Sequence, residues 1–254
     1  MIVYQEYPPI PALRPWLDCV WTCRVQTGAT PVTHQVLPDN CVDILCQDQQ
    51  DASFAVGMMT APIAVASLGL VQTVAARFKP GAAARFFQLP LCELSDGRTG
   101  LQQLWGRALA ARLGDALWSE PLSNAQRVSV LQDYLLLRLR TAPPRRQTGA
   151  AEHAIAAIER ASGQVRVDGL ARQLGVSRQH LALQFRQHVG ISPKLFARIC
   201  RFRAASQGLK RLAEQPDWAQ VALQYGYFDQ SHLIHDFQDF ARSSPEAWLT
   251  GRRA

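Results

Sequence analysis

Two cysteine pairs, Cys19-x3-Cys23 and Cys41-x4-Cys46, are the first places in this 254-residue chain where residue type and spacing suggest chemistry, namely thiolate binding of a metal. Leu17, Cys19, Trp21, Cys23 and Val25, however, share one face of a predicted strand. Residues four apart in a strand lie about 13 Å apart, too far to share a zinc held about 2.3 Å from each sulfur. An extended 41–46 segment sends Cys41 and Cys46 to opposite faces. With Cys92 and Cys200, the cysteines read as reduced, buried thiols, and neither metal nor cofactor is expected. His34, Asp39 and Asp43 are a second conceivable metal set, weighed against a turn-capping Asp and an isolated His. Arg77, Lys79 and the backbone of Gly81 are candidates for an anionic effector site, weighed against a turn with a solvated charge pair. No Gly-x-Ser-x-Gly, His-Glu-x-x-His or Gly-rich phosphate loop occurs, so no catalytic constellation is read and no enzyme is expected.

A different chemistry, hydrogen bonding to base edges, is suggested by side chains on two similar helix pairs. In the segment 167–190, Val167, Leu170, Ala171 and Leu174 form the inner face of a short helix closed by Gly175. Ser177 then caps a second helix with Leu181 and Phe185 inward. Its outward side holds Gln179, Ala182, Leu183 and Arg186. The segment 217–248 repeats the scheme: Val221, Ala222 and Tyr225 precede Gly226, and Asp229 caps a helix with Leu233, Phe237 and Phe240 inward and Gln230, Ser231 and His235 outward. Gln pairs bidentately with adenine, Ser with several edges, and His with a guanine acceptor or a phosphate; Leu183 can pack on a thymine methyl or within the domain. Arg178, Arg186, Lys194, Arg198, Arg201 and Arg242 are the candidate phosphate contacts. Between the units, Ser192-Pro193 opens a long helix carrying Leu195, Phe196, Ile199 and Phe202. Such a helix would fix two readers in register, and readers about 34 Å apart enter successive major grooves.

The elements that must position these residues fall into two parts. Residues 1–140 hold 11 basic and 11 acidic side chains and 150–254 hold 14 and 9, so the excess of the net +7 charge lies in the linker and the second part, where a polyanionic partner is expected. Short β-rich runs at 20–25, 35–37, 41–46, 64–70 and 74–78, with turns at Pro38-Asp39-Asn40 and Lys79-Pro80-Gly81, predict a barrel or sandwich. A helical pattern follows from Leu91, and TAPPRRQTGA at 141–150 reads as a linker. The expected architecture is α+β: a sensor or dimerisation domain over 1–140, a linker over 141–149 and an all-α domain over 150–254. The uncharged stretch 52–76 is long enough to span a bilayer, but Gly57, Pro62 and Gly69 interrupt it and no membrane span is expected. The opening MIVYQEYPPIP has no basic region followed by an apolar run, which suggests a cytoplasmic protein.

The stretches LARQLGVSRQHLALQFRQHVGISPKLF and VALQYGYFDQSHLIHDFQDFARSSPEAW resemble the AraC/XylS family of transcriptional regulators over about 100 residues, in the order of the two copies, the Gly-x-Ser-Pro-like tails and the aromatic after Gly226. LPDNCVDIL and RFKPGAAARFF are similar, more loosely, to a poorly characterised sensor domain found with some of these regulators. The resemblance implies a double helix-turn-helix that binds promoter or operator DNA, a small-molecule effector on the N-terminal domain, and RNA polymerase as a partner where the protein activates, with a homodimer as one alternative for its oligomeric state. Where the family usually has a basic residue followed by an apolar one, Leu183 and Gln184 reverse the order, so that either the first reader is less guanine-directed or its helix is rotated slightly. Two alternatives remain at this point: a DNA-repair alkyltransferase that acts as a regulator through a zinc-bound four-cysteine domain, whose spacing fits only loosely, and a nonspecific DNA-binding protein.

Overall fold

The computed structural model describes residues 1–28, 30–49, 53–142, 149–211 and 216–250. Its fold is α+β, with strands gathered in the N-terminal part and helices in the C-terminal part. Six strands form one antiparallel sheet in the order β1 (Ile2–Tyr7), β2 (Leu17–Gln26), β7 (Leu70–Phe78), β4 (Val42–Gln47), β5 (Ser53–Val56), β8 (Arg98–Gly100). β3 (Val32–Val36) and β6 (Ile63–Ser67) pair separately. The uncharged stretch 52–76 is thereby explained. It supplies β5, β6 and most of β7, which lies between β2 and β4 with Val74, Ala75 and Ala76 buried, and a strand covered on both faces reads as a continuous apolar run. No helix among the described residues is long and apolar enough to cross a membrane.

The expected runs at 20–25, 35–37, 41–46 and 74–78 fall on or against β2, β3, β4 and β7, while 64–70 spans two strands separated at Gly69, whose φ of +75° makes the reversal. β1, β5 and β8 were not legible as strands, and β8 lies in the stretch that reads as helical from Leu91 onward. They are edge-ward or short, and β1 and β8 bury almost nothing, so the alternation that marks a half-buried strand is missing.

Three helices follow the sheet: α1 (Leu101–Trp105), α2 (Arg107–Trp118) and α3 (Asn124–Thr141). α3 begins with a capping box between Ser123 and Gln126 and packs on β2 and β7. Buried Arg138 on α3 donates Nε to the Phe86 carbonyl at 3.1 Å, and Trp105 Nε1 donates to the same oxygen at 3.1 Å. The expected linker at 141–149 lies for the most part outside the described residues.

The C-terminal part comprises α4 (Gly149–Arg160), α5 (Val167–Gln173), α6 (Arg178–His188), α7 (Pro193–Leu209), α8 (Trp218–Gln224), α9 (Gln230–Ala241) and α10 (Pro245–Thr250). It does not stand apart from the sheet. The buried apolar residues run from Leu13 to Ala241 as one connected cluster, and α6 packs on the single turns Ala83–Arg85 and Leu91–Glu93. At the end of α6, Gly190 has φ +107°, and a Cβ there would stand 2.9 Å from Ser95 Oγ and 3.2 Å from the Leu91 carbonyl. Only glycine lets the two parts approach this closely.

Candidate nucleic-acid interface

Each helix pair is built from its caps outward. Gly175, at φ +66°, turns the chain out of α5, and Ser177 accepts from the His180 N–H at 3.1 Å to start α6. Leu181 and Phe185 are fully buried, Ala182 is half-buried, and Arg178, Gln179, Leu183 and Arg186 are exposed. In the second pair Asp217 caps α8, Gly226 turns at φ +75°, and Asp229 accepts from the His232 N–H at 2.8 Å to start α9. Leu233, Phe237 and Phe240 face inward, and Gln230, Ser231 and His235 are exposed. Ser192 accepts from the Leu195 N–H at 3.2 Å and starts α7, whose 17 residues span about 25 Å and tie the pairs together. Between α6 and α9 lies an open cleft of about 880 Å³, bordered by Arg166, Arg178, Lys194, Arg198 and His235.

The six candidate phosphate contacts do not share one environment. Arg186, Lys194 and Arg242 are exposed, and Arg178 is exposed beside Asp168 at 3.3 Å, an ion pair of little strength. Arg198 and Arg201 also border the cleft but are half-buried and paired with carboxylates of α9. Arg198 reaches Asp236 Oδ1 and Asp239 Oδ2, each at 2.6 Å; Arg201 reaches Asp236 Oδ2 at 3.4 Å and lies over the Tyr227 ring, 4.6 Å from its centroid. Asp236 is fully buried. These pairs clamp α9 to α7. The signal in the sequence was a charge on the inner face of a helix, between Leu233 and Phe237, which needs a basic partner.

Sequence reasoning also passed over Phe228. The turn from Gly226 to the Asp229 cap is one residue longer than that from Gly175 to Ser177, and Phe228, 85% exposed, is the extra residue. Its signal was an apolar residue with no place in the inward periodicity.

Of the candidate effector residues, Lys79 and Gly81 border one cavity and Arg77 does not. Arg77 is paired with Asp43 at 3.3 Å and Asp39 at 3.6 Å, and burial pushes the Asp43 carboxyl up to about 7 against the pull of Arg77. Lys79 Nζ donates to the Arg14 carbonyl at 2.7 Å, and Gly81 packs toward Ile155 of α4. His34 lies on β3, in the other sheet from Asp43 on β4. The cysteines are likewise dispersed. Burial pushes Cys19 and Cys46 up to about 12 and Cys200 to about 11, values at which a thiol is a poor nucleophile or ligand. Among the described residues, the group close enough to share an ion is His235, Asp236 and Asp239, whose carboxylates already hold Arg198.

Residues 5–99 match a family described as a domain of unknown function (DUF6597), and residues 170–251 match a family described as a helix-turn-helix domain. No curated protein matches the chain. Among solved structures, ToxT from Vibrio cholerae aligns over 98% of this chain and 98% of its own, at 10% identity and a TM-score of 0.47. A transcriptional regulator with an AraC-type DNA-binding domain, from Chromobacterium violaceum, aligns over 41% of this chain and 91% of its own, at 22% identity and a TM-score of 0.36. The xylose-binding transcription activator XylR aligns over 50% of this chain and 39% of its own, at 17% identity and a TM-score of 0.34. The helix-turn-helix match falls on the part that carries both capped helix pairs, and the DUF6597 match lies on the strands ahead of it.

Proposed function

We propose that the protein is an effector-responsive, sequence-specific regulator in which α6 and α9 enter successive major grooves. The observation that carries this reading is that both helices leave their N-terminal, outward faces open while their inner faces are buried. Gln179, Ala182 and Leu183 read one half-site; Gln230, Ser231 and His235 read the other; Arg178, Arg186, Lys194 and Arg242 hold phosphates. Arg198 and Arg201 act as positioning groups through Asp236.

Responsiveness is supported by the seating of α6. Its C-terminal end lies against the N-terminal part, with Ser95 Oγ donating to the Gly190 carbonyl at 2.9 Å. A shift of the N-terminal part is therefore felt by the first reader. A cavity of about 540 Å³ at this boundary, bordered by Trp16, Asp18, Lys79, Gly81, Glu159 and Arg203, is the place proposed for a small effector. Lys79 and Gly81 thus keep a part in the effector site, while Arg77 does not border the cavity.

Selection of binding sites from random duplexes with the full chain tests DNA reading. An enriched bipartite motif with half-sites about one helical turn apart is expected. A specificity ratio below about a hundred would instead support a nonspecific DNA coat. A thermal-shift screen of metabolites, followed by DNA titration with each hit, tests the effector; a hit that leaves DNA affinity unchanged removes the coupling.

A further inference from the structure

We infer that Phe228 is an apolar reading residue that recognises the C5 methyl group of a thymine in the second half-site. The inference rests on the reading of α9 as a DNA reader and extends it to a residue in the preceding turn.

Four observations converge. Phe228 is the most exposed large apolar side chain among the described residues, at 85%, where a phenyl ring in water is unfavourable. It immediately precedes the N-cap Asp229, and an apolar residue at that position commonly staples to the fourth residue of the helix. That residue is Leu233, which is fully buried in the core while Phe228 stays in solvent, so the ring serves no staple. The neighbouring tyrosine takes the structural role: Tyr227 is 2% exposed beneath the turn.

Position assigns the partner. Phe228 adjoins Gln230 and Ser231 at the N-terminal end of α9, the end of a recognition helix that meets base edges. The main apolar group on a major-groove edge is the thymine methyl, and Phe is among the side chains suited to it. The ring also begins from a fixed backbone, since the turn is set by Gly226 at φ +75° and by the Asp229 cap. The first reader has no counterpart in its turn, because its path from Gly175 to Ser177 is one residue shorter.

The test uses the full chain and its selected duplex, with each thymine replaced singly by deoxyuridine, which preserves base pairing and removes only the methyl. For the wild-type protein, one or two replacements in the second half-site should weaken binding about four-fold, the equivalent of about 0.8 kcal/mol for one buried carbon. In Phe228→Ala the same replacements should have no effect, and in Phe228→Leu an intermediate one. Circular dichroism and the melting temperature of both variants should match wild type, since the ring makes little internal packing. The inference is overturned if no deoxyuridine affects wild type, if Phe228→Ala retains the same penalty, or if Phe228→Ala binds every duplex normally and loses only transcription, which would mark a protein-docking residue. Failure to enrich any site would sink the reading of α9 itself, a result distinct from insensitivity to the methyl.

Discussion

Asn40 Nδ2, between β3 and β4, donates to the carbonyl of Phe196 on α7 at 3.0 Å, so the turn Pro38-Asp39-Asn40 is fastened to the helix that joins the two capped helix pairs. Arg203 of α7 returns the contact, donating Nη1 to the Asp39 carbonyl at 2.6 Å. Asn40 is 2% exposed and has φ +62°, a left-handed conformation that asparagine tolerates better than most residues. Asn40→Gly should lose only the donor. Asn40→Ala should lose the donor and add backbone strain, a total of about 2 kcal/mol. Asn40→Asp, which sets a carboxylate against a carbonyl, should be the least stable. Urea denaturation of the three proteins checks this order, and a neutral Asn40→Ala would show that the turn is not a fastening.

The clamp between α7 and α9 gives a second expectation. Asp236→Asn leaves Arg198 and Arg201 without their shared carboxylate and should cost about 2 to 3 kcal/mol, below the full figure for a broken buried pair because both guanidiniums keep some solvent. Asp239→Asn, at a 39% exposed partner, should cost under about 1 kcal/mol. Affinity for the complete bipartite site should fall more than affinity for an isolated second half-site, because the angle between readers is lost. Equal losses on both duplexes would assign Asp236 to folding alone.

These contacts mark what the sequence could and could not disclose. Caps and turn glycines act within a few residues, so Ser177, Ser192, Gly175, Gly226 and Asp229 were legible, and with them the inner faces of α6 and α9. Leu183 and Gln230 followed from helix geometry. Asp236 lies within a legible helix, yet its partners are 35 and 38 residues away on α7, and local periodicity carries no such pairing. The cross-boundary role of Asn40 was hidden for the same reason. LPDNC and RFKPG loosely resemble a sensor domain, whereas Asn40 and Gly81 show that these segments also meet the helical part.

His232 links stability to pH. Its imidazole lies 3.3 Å from Arg201 Nη2 through Nε2 and 3.4 Å from the Phe228 N–H through Nδ1; a neutral ring has one acceptor nitrogen and takes one of these bonds, and a protonated ring takes neither. Burial and the Arg201 charge hold its pKa below the usual 6.5. A depressed folded pKa means that stability is present above about pH 6.5 and is lost as pH falls through the lower folded value. Urea midpoints should therefore drop on acidification across that window, and His232→Gln, which keeps an acceptor for Arg201, should flatten this component. An unchanged pH profile in the variant would place the sensitivity elsewhere.

The last expectation concerns the division of labour between the readers. α9 presents the exposed polar side chains Gln230, Ser231 and His235, whereas α6 presents Gln179 beside half-buried Ala182 and Leu183, the latter 53% exposed. Hydrogen-bonded discrimination should accordingly concentrate in the second half-site, at about 1 to 3 kcal/mol for a good bidentate pair. Gln230→Ala should relax preference at one or two base pairs there and leave the first half-site unchanged. Arg186→Ala, which removes an exposed charge, should weaken all duplexes about equally and lower the slope of log affinity against log salt by about 0.9. Affinities measured base by base and across salt for the two proteins separate these roles. A uniform loss from Gln230→Ala with sequence preference intact would take Gln230 off the reading face, and a sequence-dependent loss from Arg186→Ala would put that arginine on it.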